Sequence, residues 1–194
     1  MQQFMNKIAR YMAILGGIIL TLLVLLTCVS VAGRALNTLF HSGLAQSLLG
    51  DAAQAVLDAG VGPVLGDFEL VEAGIAFAIF AFIPLCQITG GHASVDIFTS
   101  ALPVKANRFI QMIVEILFSF ALILIAWRLY DGMQSKMRYN ETTFLLQFPI
   151  WWAYAASLVP AVIAAVVAVY MAVVRIAEFF SGRTIIHVGG GAEH

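Results

Sequence analysis

The sequence predicts an all-α integral membrane protein, with four transmembrane helices and a short amphipathic interfacial helix in the first outer loop. Three observations predict it. Of 194 residues, 61% are hydrophobic and 11% charged, whereas soluble domains carry roughly 45–50% apolar and about 25% charged residues. Mean hydropathy is +0.95. Four stretches with at most one charge each reach the about 20 residues needed to cross a hydrocarbon core of about 30 Å.

The first span covers about 11–36. Tyr11 to Gly33 holds 23 uncharged residues behind Lys7 and Arg10. That run exceeds the 7–15 residues of a signal-peptide apolar region and meets Arg34 rather than a small-x-small cleavage site, so it reads as a retained helix. In the loop that follows, SLLGDAAQAVLDAG places Ser47, Asp51, Gln54 and Asp58 at helical spacing. Leu48, Leu49, Ala52, Ala55, Val56 and Ala59 take the opposite face. This segment is expected to lie along the outer surface, against lipid or a protein partner.

The second span covers about 69–91 and contains AFAIFAFIPLCQ. The third, about 107–130, is interrupted by Glu115, and the fourth, about 149–176, falls within the uncharged stretch Thr142–Val174. Pro84 and Pro160 sit inside the second and fourth spans, where each removes a backbone donor and is expected to kink its helix. With no internal repeat, residues 1–194 read as one domain.

An N-terminus inside puts Lys7, Arg10, Lys105, Arg108, Arg175 and Arg183 on the cytoplasmic side. Arg34, Arg128, Lys136 and Arg138 then fall on the other, together with the acidic, lysine-free first loop. The positive-inside rule therefore places both termini in the cytoplasm. Trp127, Tyr130, Tyr139, Trp151, Trp152 and Tyr154 then share one aromatic belt at the outer interface.

Several function classes are disfavoured. A net charge of -1 gives no basic face for nucleic acid. Cys28 and Cys86 lie singly in apolar runs and read as small buried hydrophobes. His41, His92, His187 and His194 all lie in loops, at helix ends or in the tail, so no bis-histidine haem site is expected. His92 and Asp96 have ligand spacing, but two ligands do not make a metal site. No catalytic constellation is evident, and neither enzyme activity nor a cofactor is expected. Thr21, Thr27 and Ser30 do not form the polar stripe of a channel.

Ionisable residues within the spans are functional candidates. Glu69 and Glu72 are one turn apart and share a face. Arg34 lies at the same depth, so an Arg34–Glu69 pair joining the first two helices is expected, against a reading of both as separate interfacial anchors. Glu115 lies about 10 Å into the third helix and suits either a proton or cation relay or, more simply, a contact with another helix or subunit. A complete transport path needs several such groups, paired, near broken helices.

The segment GDFELVEAGIAFAIFAFIPLCQITGGHASVDIFTSALP resembles the core of the small membrane subunit of tripartite ATP-independent periplasmic (TRAP) transporters, the DctQ-like family. An acidic-Leu pair, Glu69-Leu70, opens the helix. Gly91-His92-Ala93-Ser94-Val95-Asp96 and then Leu102-Pro103 follow it, and Arg34 is similar to the arginine that closes the family's first helix. Pro149-Ile150-Trp151-Trp152-Ala153-Tyr154, with Pro160 beyond, resembles the family's start to the fourth helix. Gln87-Ile88-Thr89-Gly90 lacks the basic residue that the family often carries there.

The resemblance implies a large, ion-coupled (DctM-like) membrane partner and a periplasmic substrate-binding protein that delivers an organic anion such as a carboxylate. It implies a multi-pass location in the bacterial inner membrane, with this chain as a stator rather than a carrier. Arg34–Glu69 and the His92–Asp96 turn are then expected to hold the fold. Faces with Gly74, Ala76, Ala78 and Ala81 are expected to pack on the partner, and Glu72, Glu115, Trp151 and Tyr154 are further interface candidates. The residues alone leave open a membrane anchor of a redox enzyme and a self-contained small transporter.

Overall fold

The computed structural model describes residues 2–42, 50, 54, 58, 60, 62–90 and 103–181. Among these are four long helices, α1 (Gln2–Phe40), α2 (Asp67–Thr89), α3 (Val104–Arg138) and α4 (Trp151–Ser181). Each is long and apolar enough to cross a bilayer.

Three helices outrun their expected bounds, α1 and α3 the furthest. The 39 residues of α1 span about 58 Å at 1.5 Å per residue, nearly twice the hydrocarbon thickness. Hydropathy marks where lipid ends, not where a helix ends. Neither Lys7 and Arg10 nor the residues after Arg34 include a proline, so the hydrogen-bonded ladder continues past the apolar run. The 35 residues of α3 overrun in the same way. By contrast α2 stops at Gly90, whose left-handed backbone (φ 65) lets its N–H close the last turn on Cys86 and Gln87. Both prolines sit inside helices, Pro84 in α2 and Pro160 in α4, and both are fully buried.

In space the helices follow the order α1, α2, α4, α3, each packed chiefly on its neighbour in that row. Contacts between α1 and α2 repeat every seven residues. Ala9 shares a buried cluster with Ile88, and Gly16 lies against Ala81. Leu23 fits against Gly74, and the Ser30 hydroxyl donates to Asp67. One step of seven up α1 matches one step of seven back along α2, the antiparallel seam of a heptad pair. In lipid, helices gain little from hiding apolar surface, so close backbone approach over small residues is what holds them. Gly74, Ala78 and Ala81 serve that seam inside the chain; the expectation that they face a partner is corrected. Of the four small residues expected there, Ala76 alone lines a cleft elsewhere.

The centre of the protein is α4. Half of its most apolar stretch is buried, against 6% for α1 and 11% for α3. Its inner face runs Ser157, Pro160, Ala161, Ala164, Ala165, Ala168, Met171 and Ala172, spaced three and four apart as a single helical face requires. Leu122 of α3 packs on the alanines, and Val167 and Met171 join Ala9 and Ile88 in a second cluster. The outward face carries Val159, Val162, Val166, Val169 and Val173, all exposed.

Between α3 and α4 the chain makes a hairpin over 139–150. Thr142 bridges Pro149, Thr143 N donates to Phe148 O at 3.0 Å, and Ile150 N to Glu141 O at 3.0 Å. Asn140 and Gln147 take positive φ, 47° and 55°, which turns the hairpin back over the start of α2. Of the amphipathic helix expected in the first loop, only Gln54 and Asp58 lie among the described helical residues. The Gln54 amide donates to Asp58 at 3.2 Å.

Candidate functional site

Polar chemistry concentrates where α1 ends, α2 begins and the 139–150 hairpin folds over, here termed the loop end. It is assembled from three carboxylates of α2. Residues 67 and 69 point about 200° apart around a helix, whereas 69 and 72 lie about 60° apart.

Asp67 faces α1. Its Oδ2 accepts from Arg34 Nη2 at 2.6 Å and from the Ser30 hydroxyl at 2.5 Å. Its Oδ1 takes the backbone N–H of Phe68 at 2.9 Å, a donor that the first helical turn leaves free. Ser30 in turn accepts the Val64 N–H at 3.3 Å, and the Arg34 guanidinium lies 5.2 Å over the Phe68 ring. The expected Arg34–Glu69 pair is thus corrected to Arg34–Asp67. The helix begins with Asp67, two residues ahead of the expected span of about 69–91, and Glu69 then points away from α1. The signal that could have found the pair is the seven-residue register, which sets Ser30 opposite residue 67.

Glu69 instead holds the hairpin. Its two oxygens accept the successive backbone N–H groups of Leu145, at 2.6 Å, and Leu146, at 2.9 Å. Consecutive amides converging on one carboxylate form an anion nest. Gly66 permits this approach: it has φ 74, and a Cβ there would come within 2.4 Å of the Leu146 side chain. At the base of the hairpin Lys136 and Glu141 form an ion pair at 2.5 Å.

Glu72 lies on the same side as Glu69, as its spacing predicts. The two line a cleft of ≈ 290 Å³ with Ala73, Ala76, Leu129, Phe148, Ile150, Tyr154 and Ser157. Its walls are α2 and α3, its floor α4, and the hairpin forms its roof. The Tyr154 ring packs against Gly132 of α3. Trp151 occupies the first turn of α4, half-buried and edge-on to Trp152 at 6.1 Å. Trp127, Tyr130, Tyr139 and Trp152 are exposed around this same end, as an aromatic belt requires.

Glu115 is not at the loop end. It accepts from Gln87 Nε2 at 3.2 Å, and Gln87 is two residues from the end of α2. Because α3 overruns α2, two turns into α3 is only the edge of the apolar layer. The pair links α2 to α3, which fits the simpler helix-contact role. A second buried link at that end, Arg175–Glu178 at 2.7 Å, lies within α4. His92 and Asp96 fall outside the described residues.

The arrangement fixes helices and a loop; the contacts described bring no nucleophile, base and acid together. The family model for the DctQ component of tripartite ATP-independent periplasmic transporters matches residues 23–178, about four-fifths of the chain, from the middle of α1 almost to the end of α4. No curated protein and no solved structure is matched. The chain belongs to the DctQ family, the small membrane component of these transporters.

Proposed function

We propose that this chain is the non-catalytic scaffold, or stator, of a secondary active TRAP transporter for organic anions such as carboxylates. A large DctM-like subunit carries the solute with a coupling ion, sodium, and a periplasmic binding protein delivers it. The complex sits in the bacterial inner membrane with both termini of this chain in the cytoplasm.

The observation that carries this reading is the distribution of burial. The middle of α4 is packed chiefly with alanines, Val167 and Met171, and the buried polar side chains among the described residues are few and scattered rather than lined up as a route for an anion. Meanwhile α1 and α3 turn most of their apolar side chains outward. Small residues are spent on holding this chain together, and bulky ones cover its surface. A rigid body with broad apolar sides suits a support against which another membrane protein moves. Six of the ten Lys and Arg residues fall on the terminal side, which supports the orientation.

The test is a pull-down of tagged protein from native membranes in mild detergent. A large polytopic membrane protein is expected in near-equal amount. Recovery of the chain alone, or with a haem enzyme, overturns the reading.

A further inference from the structure

We propose that the cleft between α2 and α3 receives a lysine or arginine side chain from a transmembrane helix of the large membrane subunit, with Glu72 as its counter-ion. The inference rests on the reading above, that such a subunit is bound.

The argument starts from charge. Most carboxylates that touch the helix bundle are compensated within the chain. Asp67 has Arg34, Glu141 has Lys136 and Glu178 has Arg175. Glu69 has two backbone amides and Glu115 the Gln87 amide. Glu72 lines the cleft with neither a cation nor a donor among the described residues. It stands five residues into α2, about 7.5 Å below its first residue, where a carboxylate covered by another protein needs a cation.

The floor of the cleft gives a second, independent observation. Ser157 is 1% exposed, and its hydroxyl has no hydrogen-bond partner. Buried hydroxyls are nearly always paired; this one lines the cleft that Glu72 also lines. The lining of the cleft thus offers a donor group both a carboxylate and an unpaired hydroxyl. The remaining walls, Ala73, Ala76, Leu129 and Ile150, are apolar and fit the methylene stem of a long cationic side chain.

The setting of the cleft favours a protein over a lipid occupant. Thr143, Phe148 and Ile150 of the hairpin region add to the lining of the cleft, and Glu72, Ala73 and Ala76 belong to a helix long and apolar enough to cross the bilayer. A neighbouring transmembrane helix can present a side chain to such a position.

The experiment places a photo-crosslinking benzoylphenylalanine at Ala76 in the tagged chain, co-expressed with its transporter partners, and irradiates intact membranes. An adduct with the large subunit is expected; adducts only with phospholipid overturn the proposal. In parallel, Glu72→Gln is expected to weaken retention of the large subunit by roughly tenfold or more, and Glu72→Lys to abolish it. An acidic replacement of one lysine or arginine in the large subunit restores the Glu72→Lys complex. Glu72 has no partner among the described residues, so Glu72→Gln is expected to leave the thermal unfolding of the isolated chain unchanged. If the wild-type chain fails to retain the large subunit, the functional reading falls. If wild type and Glu72→Lys retain it equally, the cleft proposal falls alone.

Discussion

Asp67, Glu69 and Glu72 lie within six positions of one another, yet each answers to a different part of the molecule. Helical geometry separates the first two by about 200°, so one meets α1 and the other the hairpin, and Arg34 can reach only one of them. A double-mutant comparison tests the pairing. Arg34→Ala and Asp67→Asn should each lower the thermal midpoint of the purified chain in detergent. Combined, they should lower it scarcely further, because the second change removes a partner already lost. Arg34→Ala with Glu69→Gln should instead be additive, since Glu69 serves the Leu145 and Leu146 amides. Additivity in the first combination and not the second would restore the Arg34–Glu69 pair. The existence of a charged link at this depth was legible from Arg34 and the acids near it. Its partner was not, because the pairing depends on which face of α2 meets α1, and neighbouring residues of a helix point about 100° apart. The nest for Glu69 depends on the backbone of the 139–150 hairpin, with Gln147 at φ 55, which no residue pattern in the sequence announces.

At the scale of elements, the join between α1 and α2 is a seam of small residues stepped by seven. Two adjacent glycines separate its energetics from helix propensity. A Cβ on Gly16 would come within 2.9 Å of the Ala81 side chain, whereas one on Gly17 meets nothing within 4 Å. Both substitutions remove a glycine from a helix interior, so intrinsic propensity favours both alike. Gly16→Leu should therefore destabilise the chain, by about 1–3 kcal/mol as overpacking costs elsewhere, while Gly17→Leu should be neutral or slightly stabilising. Chemical unfolding in mixed micelles, followed by intrinsic fluorescence, reads both. Equal effects would mean that the seam does not hold α1. The four helices and their order were legible because length and hydropathy suffice for them. The seam was present in the sequence as Ala9, Gly16, Leu23 and Ser30, but its meaning depends on which helix lies opposite. Gly74, Ala78 and Ala81 looked like a surface for a partner for the same reason: a small-residue face announces close packing without saying on what.

For the whole molecule, burial is uneven in a way that bears on how it sits in a complex. A row of four helices with α4 and α2 in the middle leaves α1 and α3 as flanks, and the outer valines of α4 as a third apolar surface. Orientation across the bilayer then decides which partner meets which end: the loop end, with its hairpin and acidic first loop, or the terminal end, with Lys7, Arg10, Lys105 and Arg108. The proposed orientation puts the terminal end in the cytoplasm. Single cysteines test this in a background lacking Cys28 and Cys86. Phe144 at the hairpin tip is 88% exposed and Phe180 near the end of α4 is 81% exposed, so neither substitution disturbs the core. In intact cells with a permeabilised outer membrane, a membrane-impermeant maleimide should label Phe144→Cys. It should label Phe180→Cys only after the inner membrane is opened. The reverse pattern would invert the molecule and carry the hairpin, the Glu72 cleft and the acidic loop to the cytoplasmic side, away from any periplasmic binding protein. Because both positions belong to the same helical hairpin, α3 to α4, labelling of both from outside would also mean that α4 fails to cross the membrane.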